Sequence, residues 1–423
     1  MKWRGKKVSR AWLALALCAL LAVTVFASEE QGDNQGRERL TGDWMGARSA
    51  LEDRGLSLDL GLTQVYQRNT HGGLAAGVGR WAGSYDLELG ADMERMADLR
   101  GGEFYMLAEG AWTGGQGLDS RAVGSLFGIN DDMGGERTMD VTELWYQQNF
   151  MDDALRFRLG KLDLTAGFES RGVPGAFDGN MFANDETSQF LNSALVNNPA
   201  VPFPDNGLGF GAYQEITSWW YVSGAVADAE ANATEAGINT TFDGDTHLFY
   251  VVETGLVPSF ESNKGELPGA YRLGVWNDRQ PKEYLAENRT KRDDLGVYLS
   301  AGQMLWLENG EPEDEQGFGL FGRAGWADDK VNEIKVFGSL GAQYTGLIPG
   351  RDADVLALGL AEGCLSGHAD FSSSYERTVE LYYRAELAPW FQLSPSVQWI
   401  SNPGGQSMSE DPIVIGCRAQ LAF

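Results

Sequence analysis

The residue types on which catalysis and metal binding most often turn are sparse in this chain and poorly placed for either. The three histidines, His71, His247 and His368, are scattered, with no His-x-x-x-His or paired-Cys spacing, which argues against zinc. There is no Gly-x-Ser-x-Gly elbow and no phosphate-cradling glycine loop ending in Lys-Ser/Thr. A Ser/His pair brought together only by folding is the enzyme alternative. Acidic stretches at Asp131-Asp132, Asp243-Gly-Asp245 and Glu311 to Glu315 offer the hard oxygens calcium takes. None has the twelve-residue calcium-loop spacing, so solvated loop charge is the simpler reading. The expectation is a protein that is not an enzyme and holds no cofactor or metal.

A different chemistry is open to the charged and aromatic residues that alternate with apolar ones. The wet positions include Asp86, Glu88, Glu143, Arg156, Arg158, Glu253, Arg272, Arg323, Lys335, Glu380, Arg384, Glu386, Gln398 and Arg418. Planar carboxylates and guanidinium groups hydrogen-bond vicinal hydroxyls, and aromatic faces stack on C–H edges, so mixed charge with Trp and Tyr nearby suits neutral polyols such as sugars. The set expected to line the narrowest part of a lumen is Glu143, Trp145, Lys161, Asp163, Arg323, Glu380 and Arg384. For any one of them, simple wetting of an interior is the competing reading.

The elements that must position these residues are strands with one apolar and one polar face. Tyr85, Leu87, Leu89, Ala91 and Met93 alternate with Asp86, Glu88, Gly90, Asp92 and Glu94, and Val379, Leu381, Tyr383, Ala385 and Leu387 alternate with Thr378, Glu380, Tyr382, Arg384 and Glu386. The last run sets Ile413, Ile415, Cys417, Ala419, Leu421 and Phe423 against Gly416, Arg418, Gln420 and Ala422. A soluble sandwich alternates too, but many of these runs have the nine to twelve residues a tilted strand needs to cross a bilayer.

Sixteen candidate runs can be counted, near 56–66, 84–94, 103–112, 141–150, 154–164, 208–216, 219–227, 247–256, 270–277, 294–303, 317–326, 334–343, 354–361, 376–388, 391–400 and 412–423. Long gaps (113–140, 165–207, 228–246) alternate with short ones (151–153, 217–218, 389–390), the asymmetry of an antiparallel transmembrane β-barrel. Around Gly160 the phase slips, so that Lys161 and Asp163 share a face with Arg156 and Arg158 only if Gly160 forms a bulge. The gap 165–207 carries Phe168, Arg171, Phe177, Phe182, Phe190 and Phe203, with Asp178, Asn180, Asn184 and Gln189. That is too apolar for a freely solvated loop, so it is expected to fold into the barrel, with packing over the rim as the alternative.

The first residues read as a secretory leader over 1–27: Lys2, Arg4, Lys6, Lys7 and Arg10, an apolar run from Ala11 to Phe26, and a small residue at Ala27. Beyond it no apolar run approaches the length of a spanning helix. The net charge of −27 becomes five more negative when the leader's basic residues are removed, which disfavours nucleic acid and anionic solutes. Residues 28–55 form an N-terminal periplasmic segment with a short helix. There Asp43 is its cap, Trp44, Ala47 and Leu51 lie on one face, Arg48 and Glu52 form an i,i+4 pair, and Gly55 is its end. The helix is expected against the rim, with partial occlusion of the pore as the alternative. Residues 56–423 form the barrel.

The chain resembles the OprB-type carbohydrate-selective porins. The resemblance rests on Leu40-Thr-Gly-Asp-Trp44 with Arg48, Gly160-Lys-Leu-Asp163, Arg323-Ala-Gly-Trp326, Glu380-Leu-Tyr-Tyr-Arg384, and Pro389-Trp390 running into Gln398-Trp-Ile-Ser-Asn402-Pro-Gly-Gly405. Each is weak alone, but the ordered set spans the mature chain and ends on Phe423. The resemblance implies a sixteen-stranded barrel in the cell outer membrane, passive uptake of mono- and small oligosaccharides, and a constriction of charged and aromatic side chains. Its partners would be sugars, outer-membrane lipid and the barrel assembly machinery, the last reached through Phe423. The assembly is a monomer or trimer. The acidic balance keeps a general or cation-preferring pore as the alternative, and a closed-barrel adhesin as a more distant one.

Overall fold

The computed structural model describes residues 38–114, 117–131, 137–167, 190–232, 239–242, 246–310, 316–408 and 410–423. Strands dominate because the alternating runs can bury neither face alone, and pairing edge to edge satisfies their backbone groups. In chain order they are β1 (Leu56–His71), β2 (Gly79–Asp92), β3 (Gly102–Thr113), β4 (Arg137–Phe150), β5 (Leu155–Leu162), β6 (Gly207–Thr217), β7 (Trp220–Asp228), β8 (Leu248–Leu256), β9 (Ser259–Ser262) and β10 (Gly265–Asp278). They continue as β11 (Lys282–Glu283), β12 (Thr290–Lys291), β13 (Asp294–Leu307), β14 (Gly317–Trp326), β15 (Ile334–Thr345), β16 (Val355–Leu365), β17 (Tyr375–Ala388), β18 (Phe391–Ser401) and β19 (Ile413–Ala422).

Sixteen of these pair antiparallel with their neighbours, and β1 closes the ring on β19 with Leu62 opposite Leu421 and Val65 opposite Arg418. The short β9 only extends β10 as a hairpin, and β11 pairs with β12 inside one loop. A closed ring leaves no sheet edge, the condition for crossing lipid with strands.

The two faces sort as the alternation requires. Leu144, Leu159, Phe210, Val252, Leu273, Leu299, Leu340, Leu358 and Leu381 are exposed on the outside, while Glu143, Glu253, Arg272, Arg323, Thr378, Glu380, Gln398 and Arg418 are buried within. Cys364 and Cys417 stand on separate strands and form no disulfide. One end of the barrel is closed by tight connections such as 151–154, 218–219 and 389–390. The other carries the long ones, 114–136, 163–206 and 229–247.

Local details depart from expectation. The second run stops at Asp92, whose carboxylate caps a short helix, Met93–Ala97, by accepting the N–H groups of Glu94 and Arg95 at 3.0 and 3.1 Å. Met93 and Glu94 are therefore helical, not the end of the strand. Near the N-terminus the helix is Ala47–Glu52, and Asp43 binds Ser49 N and Oγ, both at 2.8 Å. The Arg48–Glu52 pair does not form: Glu52 meets Arg39, and Arg48 instead donates to the Phe423 carbonyl at 2.8 Å and lies over the Trp44 ring. Leu40 N donates to Ala422 O and Arg39 pairs with Asp59, so this segment packs on the short-turn rim where β1 meets β19. Gly55 ends it at φ 89°, where a Cβ would lie 2.8 Å from Asp92 O.

Candidate pore constriction

Two loops from the long-loop end turn into the barrel. Segment 190–206 belongs to the connection from β5 to β6, yet it is held by Glu380, seven strands around the ring from β5, and by Arg323, five strands from β6. A chain tied at both places must cross the lumen. Its single helical turn, Ser193–Val196, is capped by Asn192, whose side chain accepts Ala194 N at 3.2 Å. Glu380 accepts the N–H groups of Leu191 and Asn192 at 3.0 and 2.8 Å, and Arg323 Nη1 donates to the carbonyls of Leu195 and Val196 at 3.1 and 2.7 Å. Acid at the N–H end and base at the carbonyl end complement the peptide dipoles of the turn.

Asn192 also donates to Gln398 Oε1, and Asn198 to Ala324 O. Below these polar ties Phe190, Leu195, Val196 and Ala200 pack on Phe321, Phe337, Ala357 and Tyr382, with the Phe190 and Tyr382 rings edge to face at 4.9 Å. The expected inward fold is therefore seen for 190–206. Phe168, Arg171, Phe177, Asp178, Asn180, Phe182, Asn184 and Gln189 lie outside the described residues.

The other loop, between β3 and β4, crosses as well. Ile129 O accepts from Gln67 and Gln398, and Asp131 N donates to Leu191 O while its carboxylate accepts from Asn197, which couples the two loops. Its Asp119 carboxyl is pushed up to about 6 by burial, against the pull of the Ser125 and Gly124 N–H groups.

The remaining wall, on β2 to β5, stays charged and aromatic. Trp145 is 5 % exposed, with its indole N–H on Glu143 at 2.9 Å, the Tyr105 ring stacked at 4.9 Å and the Arg158 guanidinium 3.4 Å from its ring centre. Tyr105 in turn donates to Glu88, and Asp86 stands opposite Glu109 in the ladder. Acid predominates on β2 and β3, with Arg156 and Arg158 beside it on β5.

The seven residues expected at the constriction thus divide. Glu143 and Trp145 belong to this wall. Arg323 and Glu380 face inward but are 5 % and 0 % exposed beneath the loop they hold, so they act on the lumen through it. Arg384 lies on the same inner row of β17 as Glu380, closer to the short-turn end. Lys161 pairs with Leu144 and Leu208, both on the outward alternation, yet is 3 % exposed. The strand turns at Gly160 to φ 150° without a bulge in its pairing, which breaks the alternation between Arg158 and Lys161. Asp163, just past β5, accepts Thr165 N and Oγ at 2.8 and 2.5 Å.

Glu376, Gln67 and Asn192, which join loops to wall, were not among the seven. Glu376 was legible as the inner-face partner of Glu380 four residues on, and Gln67 as a polar residue continuing β1 past its assigned end. Of the acidic stretches, Asp131 is taken up by Asn197, while Asp132, Asp243 to Asp245 and Glu311 to Glu315 lie outside the described residues. Among the described residues no group of three acidic, His or Cys side chains is placed to hold a metal ion.

A closed strand barrel with an apolar outside, a charged inside and loops folded into its lumen defines a membrane channel of the porin class. The model of the carbohydrate-selective porin OprB family matches residues 79–423. Porin B of Pseudomonas aeruginosa is 22 % identical over 91 % of this chain and 91 % of its own length, and the putative porin QuiX of Acinetobacter baylyi 21 % over 92 % and 94 %. The high-pH structure of Pseudomonas putida OprB superposes with a TM-score of 0.76 at 19 % identity, covering 93 % of this chain and all of that one. This chain belongs to the OprB family of carbohydrate-selective porins. It is a β-barrel of the outer membrane, and the short turns mark its periplasmic end.

Proposed function

We propose that mono- and small oligosaccharides diffuse passively through the gap between the loop segment 190–206 and the wall of β2 to β5. The observation that carries this reading is the clamp of Glu380 and Arg323 on that segment, which fixes a loop across the lumen. A narrowed lumen bordered by Glu88, Tyr105 and Arg158, with Glu143 buried behind them, exchanges hydrogen bonds with hydroxyls without holding a net charge on the solute. Flux needs no chemical step. Arg384 and Asp163 are assigned to the lining, and Lys161 to its support. Phe423 is the contact for the assembly machinery, and the barrel stands in lipid as a monomer or trimer.

Swelling of liposomes holding the mature protein tests this reading. Glucose and maltose are expected to enter several-fold faster than gluconate of similar size, and equal rates would refute it. The acid on β2 and β3 favours a second reading, a cation-preferring pore. A reversal potential in a salt gradient near the cation limit, with sugar flux no greater than that of other neutral solutes, would select it.

A further inference from the structure

We propose that Glu376 is a positioning residue: it pins the loop between β3 and β4 across the outer mouth of the barrel and so sets the largest solute admitted. The proposal rests on the reading of the lumen as a loop-narrowed pore and adds a second narrowing, joined to the first through Asp131. Glu376 lies on the inner face of β17, 0 % exposed, four residues before Glu380. Its carboxylate accepts Ser125 Oγ at 2.5 Å, Leu126 N at 2.8 Å, Phe127 N at 3.4 Å and, from the connection between β18 and β19, Gly404 N at 2.6 Å. Among the described residues its partners are backbone N–H groups and a hydroxyl, with no Lys or Arg, so only the docked loops balance its buried charge.

The loop it holds spans the mouth. Phe127 packs edge to face on Phe337 of β15 at 6.2 Å, and β15 is seven strands around the ring from β3, where the loop begins. Gly404 can approach the carboxylate because it takes φ 65° within the tight turn Asn402–Gly405, which Gly405 N closes on Asn402 O at 3.0 Å. Without the carboxylate, the N–H groups of Leu126, Phe127 and Gly404 lose their acceptor. With a Gln in its place, an NH2 donor replaces one of the two acceptor oxygens and faces at least two of these donors.

The test measures exclusion with polyethylene glycols of graded size added during single-channel recording, a readout independent of any sugar preference. In Glu376→Gln the exclusion limit is expected to rise by at least half in polymer mass, with noisier open current. The double variant Ser125→Ala, Phe127→Ala leaves the carboxylate in place, guards against misfolding of the first, and is expected to shift the limit in the same direction. An exclusion limit unchanged from wild type in either folded variant overturns the proposal. If the wild type passes polymers but shows no preference for sugars, the carbohydrate reading fails while the size measurement still decides the role of Glu376.

Discussion

Glu380 is a fully buried carboxylate whose charge is taken up by two loop N–H groups and a neighbouring network, and hydrogen bonds to a charged acceptor contribute about 1.5–3 kcal/mol each. Glu380→Gln is therefore expected to loosen segment 190–206 by about 2 kcal/mol. Proteolysis within that segment should speed up roughly thirtyfold through local opening, with a larger single-channel conductance. Unchanged proteolysis would show that apolar packing of Phe190 and Leu195 holds the loop alone. Asp119 makes a pH prediction. Its carboxyl is raised to about 6 by burial, so the folded loop favours the protonated form. The stability this gives is full below the ordinary value of 3.8 and is lost as pH rises through about 6. Amide protection in residues 117–131 should then fall roughly tenfold or more between pH 4 and pH 7, and Asp119→Asn should flatten the dependence. The same fall in both proteins would place the titrating group elsewhere.

Among the elements, β5 carries a tight backbone constraint. At Gly160 an added Cβ would sit 2.2 Å from Leu144 O and 2.6 Å from the Trp145 Cα, both backbone atoms that cannot move aside. Gly160→Ala is expected to cost on the order of 2–3 kcal/mol. A lower urea midpoint for the refolded barrel would register that cost, and a wild-type midpoint would contradict the assigned backbone. The same position shows where sequence reasoning ran out. Alternation gave the inner rows of β2, β17 and β19 correctly because one face must be apolar, but it carries no information past a twisted glycine, so the face of Lys161 could not be read. Some strand ends also run beyond the expected ones, as β1 does past Tyr66 to His71, because polar residues near the outer rim no longer alternate against lipid. Arg323 and Glu380 were legible as inner charges. That they hold a loop was not, because strand periodicity does not say what covers a residue from inside.

In the whole molecule, the closed barrel frames a lumen and the two inward loops narrow it. The net charge of −27 falls partly on the inner wall of β2 and β3, a field that disfavours anions relative to neutral solutes and cations. Charge alone does not make a sugar pore; on the proposed reading, the carbohydrate preference would come from hydroxyls meeting Glu88, Tyr105 and Arg158 in a narrowed lumen. The most direct test is single-channel conductance of the refolded protein in a planar bilayer while glucose or maltose is titrated on one side. A steady open current reduced by sugar to a saturating level is the predicted result. A current indifferent to sugar at every concentration, or no current at all, would contradict it.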